Sequence, residues 1–108
     1  MPIRHQIILC TCPDNATAEK IAHLIVTDKL AACVNILPGV TSIYRWHEQI
    51  ETAQEHLLLI KANKTSYQAI EKTIKKYHPY ELPEIIAVPI ENGLPEYLQW
   101  IDSCHSSK

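Results

Sequence analysis

The side chains able to do chemistry gather in two short stretches. Cys10 and Cys12 lie two positions apart near the N-terminus, and Tyr77, His78, Glu81 and Glu84 fall within eight residues, stiffened by Pro79 and Pro83. Thiolate, imidazole and carboxylate on a preformed loop suit borderline to soft divalent ions, among which the Irving–Williams order makes copper the tightest. The C-x-C at a strand end is expected to send its two thiols to opposite faces, so that one of them, not both, meets the His78 loop. Plainer roles stand beside each residue: Cys10 as a core filler, His78 as a cation on a helix C-terminus and Glu84 as a surface charge. Both readings stay open at this level.

Catalytic patterns are missing. There is no Gly-x-Ser-x-Gly elbow, and the zinc-protease pattern begun by His47-Glu48 fails because position 51 is Glu. A Cys10 or Cys12 pair with His78 lacks an orienting third group and a helix N-terminus to lower the thiol. No enzymatic activity is therefore expected. His5, His23, His56 and His105 are isolated in sequence and read as solvated or partner-facing, Cys33 and Cys104 as buried small hydrophobes, and Lys72, Lys75 and Lys76 as the wet face of a helix.

A chain of 108 residues has the size of one domain, with a thin stability margin that association would improve. Its two glycines, Gly39 and Gly93, are too few for a Gly-rich phosphate cradle. A net charge of -2 and the absence of any Phe argue against a nucleic-acid surface. No apolar run is long enough to span a membrane, and residues 1–12 lack the features of a secretory signal. A cytoplasmic location with reduced thiols is the expectation.

These groups must be positioned by a β-α-β-β-α-β order with a terminal helix. Ile7-Ile8-Leu9-Cys10 reads as a strand, closed by Pro13-Asp14-Asn15, either polar residue of which can cap a helix running to about Leu30. Residues 32–46 form one long strand kinked at Pro38-Gly39, and His47-Glu48-Gln49 turns it back into a strand ending in Leu57-Leu58-Leu59-Ile60. Tyr67, Ile70, Ile74 and Tyr77 mark a second helix, with Thr65 and Gln68 as a capping box and Pro79 forcing its end at His78. Ile85 to Ile90 reads as a buried strand and Pro95 to about Ser103 as a helix. The order predicts an α+β, ferredoxin-like sandwich with a long β-hairpin and a C-terminal helix.

The hairpin has a consequence of its own. Strands of about 14 residues reach roughly 45 Å, whereas a body of this size has a radius of gyration of about 13 Å. The ribbon must overhang and would leave Ile43, Tyr44, Trp46 and Ile50 in water unless another chain covers them. A closed homo-oligomer is predicted.

Three segments together carry a resemblance. Lys29-Leu30-Ala31-Ala32-Cys33, the stretch Pro38-Gly39-Val40-Thr41-Ser42-Ile43-Tyr44-Arg45-Trp46, and His78-Pro79-Tyr80-Glu81-Leu82-Pro83-Glu84 occur in the order found in the CutA family of divalent-cation tolerance proteins, and the likeness runs from about Ile7 to Ile101. The resemblance implies a single domain over residues 1–108, a cytoplasmic homotrimer built like the PII signalling proteins, and binding of copper or related divalent metal ions, with no enzymatic activity, membrane or nucleic acid involved. Its copper ligands would be a cysteine ending the first strand, matching Cys10, and two histidines closing the second helix, of which the second matches His78 and the first falls on Tyr77. A phenol is a poorer ligand for divalent copper than an imidazole. Glu84 would supply an oxygen donor. The rival expectation is a PII-like signalling or scaffold trimer that takes a small ligand or partner protein in its inter-subunit clefts.

Overall fold

The computed structural model describes residues 3–105. Its elements run β1 (His5–Cys12), α1 (Asn15–Thr27), β2 (Cys33–Trp46), β3 (Gln49–Asn63), α2 (Tyr67–Tyr77), β4 (Ile86–Pro89) and α3 (Pro95–Ser103), with a 3-10 turn at Lys64–Ser66. The four strands form one antiparallel sheet in the order β2-β3-β1-β4. That is the expected ferredoxin-like α+β arrangement.

The core forms where the sheet's apolar face meets the helices. Ile8, Cys10 and Cys12 of β1 and Leu58, Ile60 and Ala62 of β3 are buried against Ala18, Ile21 and Ile25 of α1 and Ile70 and Ile74 of α2. The two-residue period of the strands and the three- to four-residue steps of the helices converge on this one layer. Asp14 caps α1, its carboxylate accepting from Thr17 N–H at 2.8 Å. α2 ends at His78, whose N–H still donates to the Ile74 carbonyl at 2.8 Å while its backbone is already extended ahead of Pro79.

The hairpin is the long feature of the molecule. β2 and β3 pair from Cys33↔Lys61 to Trp46↔Gln49, with one irregularity between Leu37 and Val40. At that point Pro38 and Gly39 together face the single residue His56, and Gly39 has φ +73. Such a bulge uses glycine because left-handed backbone costs any other residue a clash with its own Cβ. Although the space beside Gly39 is open, Gly39→Ala is expected to lower stability by about 1–2 kcal/mol through backbone strain alone, read as a shifted urea midpoint. At the tip, His47 (φ 50) and Glu48 (φ 64) form the two-residue turn, both left-handed as this tight connection requires. The ribbon's outer half is mostly exposed, and the longest dimension of the chain is 44 Å against 26 and 22 Å for the others.

Five expectations are corrected. No capping box forms at Thr65, because residues 64–66 make a 3-10 turn that runs directly into α2, and Ser66 is already helical with no side-chain cap bond. β3 does not end at Ile60 but continues to Asn63, since its register with β1 carries on to His5↔Asn63. β4 is an exposed edge strand rather than a buried one, consistent with Pro89 lacking an N–H to donate. Cys33 and Cys104 are half-buried, and His5 and His105 are working parts of the fold: His5 Nε2 donates to Asp102 at 2.8 Å, and His105 Nε2 accepts from the Asn63 N–H at 2.9 Å, which docks α3 beside the ends of β1 and β3.

Candidate functional site

The end of β1 and the exit of α2 meet beneath the hairpin. Cys10, Cys12 and His78 each bring a ligand atom to within 4.8 Å of the other two, and all three side chains are buried. The expectation that the two thiols point to opposite faces is corrected, for a plain geometric reason. Successive side chains of a strand alternate, so residues two apart share a face, and Cys10 and Cys12 both look toward the helices.

Electrostatics make the two thiols unequal. A hydrogen bond between them, then burial, then the nearby carboxylates of Glu84 and Glu55 push the Cys10 thiol far up. The same bond from Cys10 lowers Cys12, against the opposing effects of burial and of Asp14 and Glu55. Cys12 is therefore the thiol that gives up its proton first. Glu84, expected as an oxygen donor, stands outside the group of three and acts on it through its charge.

His78 is held from both sides. Its Nδ1 accepts from the Tyr80 N–H at 3.2 Å, which leaves the proton on Nε2, and Nε2 donates to the Thr11 carbonyl at 2.7 Å. The ring so held is a tie between β1 and the loop after α2. Tyr80 extends the tie: its ring lies against His78 at 4.7 Å between centroids, and its hydroxyl donates to the buried Glu55 of β3 at 2.7 Å. Burial and then that bond to Glu55 push the Tyr80 phenol up, so it remains a donor across the neutral range. Tyr77, where the resemblance would place another histidine, packs instead against the core beneath Lys20 and Lys76.

One residue of this region escaped the sequence reading. His56 sits directly opposite Cys12 in the β1–β3 register, hence on the same side of the sheet, and its Nδ1 is buried with no hydrogen-bond partner among the described residues. Isolated in sequence, it carried no motif. The signal lay in the strand register, which pairs it with Cys12 once β1 and β3 are aligned.

Next to this cluster, the hairpin and the loop 79–84 enclose a concavity of about 1080 Å³, with Tyr44, Arg45 and Trp46 on one wall and Tyr80, Glu81 and Glu84 on the other. The mixture of aromatic faces with charges of both signs suits a polar small molecule or a segment of another chain.

Comparison with known proteins gives a consistent result. A family profile described as CutA1 divalent ion tolerance protein matches residues 6–104. The divalent-cation tolerance protein CutA of Yersinia pestis is 42% identical over 97 residues, covering 90% of this chain and 82% of its own. Among solved structures, CutA from Xylella fastidiosa is 48% identical with a TM-score of 0.92, covering 94% of this chain and 98% of its own. The periplasmic divalent cation tolerance protein CutA from Archaeoglobus fulgidus is 40% identical with a TM-score of 0.90, covering 93% and 97%.

Proposed function

The chain belongs to the CutA1 family of divalent ion tolerance proteins, and from that premise we propose that it acts in the response to metal ions by binding copper or a related ion at the buried cluster of Cys10, Cys12 and His78. The observation that carries this is the buried meeting of two thiols and an imidazole, a donor set that soft and borderline metals prefer. His78 belongs to that cluster, and Glu84 acts on it through its charge. The role on this reading is binding rather than catalysis.

The working unit on this reading is a homotrimer in the cytoplasm, where the thiols stay reduced and available as ligands. It is supported by the exposed edge strands β2 and β4 and by the apolar side chains along the ribbon, with Ile43 70% and Ile50 63% exposed in the single chain. No helix among the described residues is long and apolar enough to cross a membrane. Fractionation of the native host settles the compartment, which for one solved relative is named as the periplasm.

Copper affinity tests the proposal. Cys10→Ala is expected to weaken binding at least about tenfold in competition titration, and equal affinity in the wild type and the Cys10→Ala/His78→Ala double variant would place the site elsewhere. A second reading, favoured by the concavity beside the loop, is a PII-like trimer that takes a small ligand or a partner protein there. It predicts that protein purified without added metal carries an organic molecule or anion and no copper, which native mass spectrometry with elemental analysis distinguishes.

A further inference from the structure

We propose that the concavity between the hairpin and the loop 79–84 binds a linear aliphatic polyamine, with one ammonium group on Glu55 and the chain laid along Tyr44 and Trp46. The inference rests on the second reading above, a ligand in this concavity, and names its chemistry. The strand register selects the wall. Val40↔Glu55, Ser42↔Ala53, Tyr44↔Glu51 and Trp46↔Gln49 are cross-strand pairs, so Glu55, Tyr44 and Trp46 share one face of the ribbon. Ile43, Arg45 and Ile50 take the other, which is the face that the proposed trimer buries.

Charge decides the sign of the ligand. Glu55 is only 5% exposed, and its hydrogen-bond partner among the described residues is a neutral donor, the Tyr80 hydroxyl at 2.7 Å. No Lys, Arg or His nitrogen lies within 4.0 Å of its carboxylate among those residues. A carboxylate withdrawn from water without a counter-ion is costly. An ammonium group, protonated at neutral pH, supplies the missing charge together with N–H donors for the carboxylate. Glu81 and Glu84 line the loop side of the same concavity, whereas the guanidinium of Arg45 belongs by register to the reverse face of the ribbon.

Shape decides its length. Glu55 lies opposite Val40, and Trp46 stands further along β2 by about 20 Å of strand, so a compact cation cannot touch both. Tyr44 lies between them, close enough to Tyr80 to add to the upward push that burial and Glu55 exert on its phenol. Aromatic faces attract ammonium groups, and methylene stems pack against apolar surface while their charged ends stay paired or wet. A chain that alternates amines with short alkyl links therefore matches this wall along its length.

The experiment is a calorimetric titration of the whole chain with spermine, 1,4-diaminobutane and butanedioate at neutral pH and low salt. Spermine is expected to bind at least about tenfold more tightly than the diamine, which reaches only part of the wall, and butanedioate not at all. Glu55→Gln, whose amide oxygen still accepts from Tyr80, is expected to weaken spermine at least about tenfold. Trp46→Leu, a change outside the buried core, is expected to weaken it by about threefold to tenfold and serves as the second variant if Glu55→Gln fails to fold. Arg45→Ala should leave spermine binding unchanged. Spermine affinity untouched by both Glu55→Gln and Trp46→Leu overturns the site. Butanedioate binding that Arg45→Ala abolishes overturns the cation while the reading of a ligand in the concavity stands. If no probe binds, the polyamine is overturned; an organic molecule carried by the purified protein in native mass spectrometry then still upholds the broader reading, and protein carrying none overturns both.

Discussion

Ile43→Asp combined with Ile50→Asp is expected to shift the protein in light scattering from three times the 12.3 kDa chain mass to the mass of one chain. The two residues lie diagonally across the ribbon, with Ile43 paired to Thr52 and Ile50 to Arg45, so their side chains share a face. Each is more than half exposed in the single chain. Fully covering an isoleucine stabilises an assembly by about 1.5–3 kcal/mol, and two of them in each of three subunits make a large share of the association energy. An aspartate at either place replaces that gain with the cost of burying a charge that has no partner. The ribbon itself is held by its ladder and by Gln54 Nε2 donating to Thr41 at 2.9 Å, so the substitution removes contacts between chains without unfolding the strand pair. A double variant that keeps the trimer mass would show that the hairpin is not where the subunits join. A wild type at 12.3 kDa at micromolar concentration would refute the trimer.

The ribbon was readable before the structure because its evidence is local. β-branched and aromatic residues fill the first strand and a run of four aliphatic residues, Leu57 to Ile60, marks the second, Pro38-Gly39 can hardly be anything but an interruption, and the strand length against the body size needs only the rise per residue. The helices were readable for similar reasons, through Ala18, Ile21, Ala22 and Ile25 on one and Ile70 and Ile74 on the other. What sequence could not supply was pairing. An apolar run such as Ile85 to Ile90 looks the same whether it lies in the middle of a sheet or at an edge awaiting a neighbour, and only the order β2-β3-β1-β4 decides. His56 is the same case: nothing within ten residues of it in the chain announces Cys12, yet the register sets them opposite. The thiol pair is different. The period-two rule places Cys10 and Cys12 on one face from sequence alone, so that part of the site was legible and was read the wrong way round. Their approach to His78 was not legible, because it depends on where α2 ends in space.

His78→Ala is expected to lower the unfolding free energy by about 2–4 kcal/mol, a large fraction of the 5–15 kcal/mol typical of a small domain. The imidazole satisfies the Thr11 carbonyl and the Tyr80 N–H at once and fills the space against the Tyr80 ring. Its removal takes the shorter hydrogen bond from the buried Thr11 carbonyl, which still accepts from the Cys10 thiol at 3.8 Å, and leaves the part-buried Tyr80 N–H without a partner, a lost bond and an unsatisfied donor that cost about 1–3 kcal/mol each. Tyr80 would lose the ring that orients it, and with it the aim of its hydroxyl at Glu55. His78→Phe separates the contributions, since it restores an aromatic ring of similar size but neither hydrogen bond, and the gap between the two variants in urea melts measures packing alone. If both match the wild type within about 0.5 kcal/mol, His78 does not hold the loop. The distinction matters for metal binding because a histidine that anchors residues 79–84 will, when removed, disturb any ion nearby without ever having touched it. Loss of copper affinity in His78→Ala with an unchanged melt would mark a ligand. Loss in proportion to the destabilisation would mark a residue that positions the loop, and the two hydrogen bonds on its ring favour the second outcome.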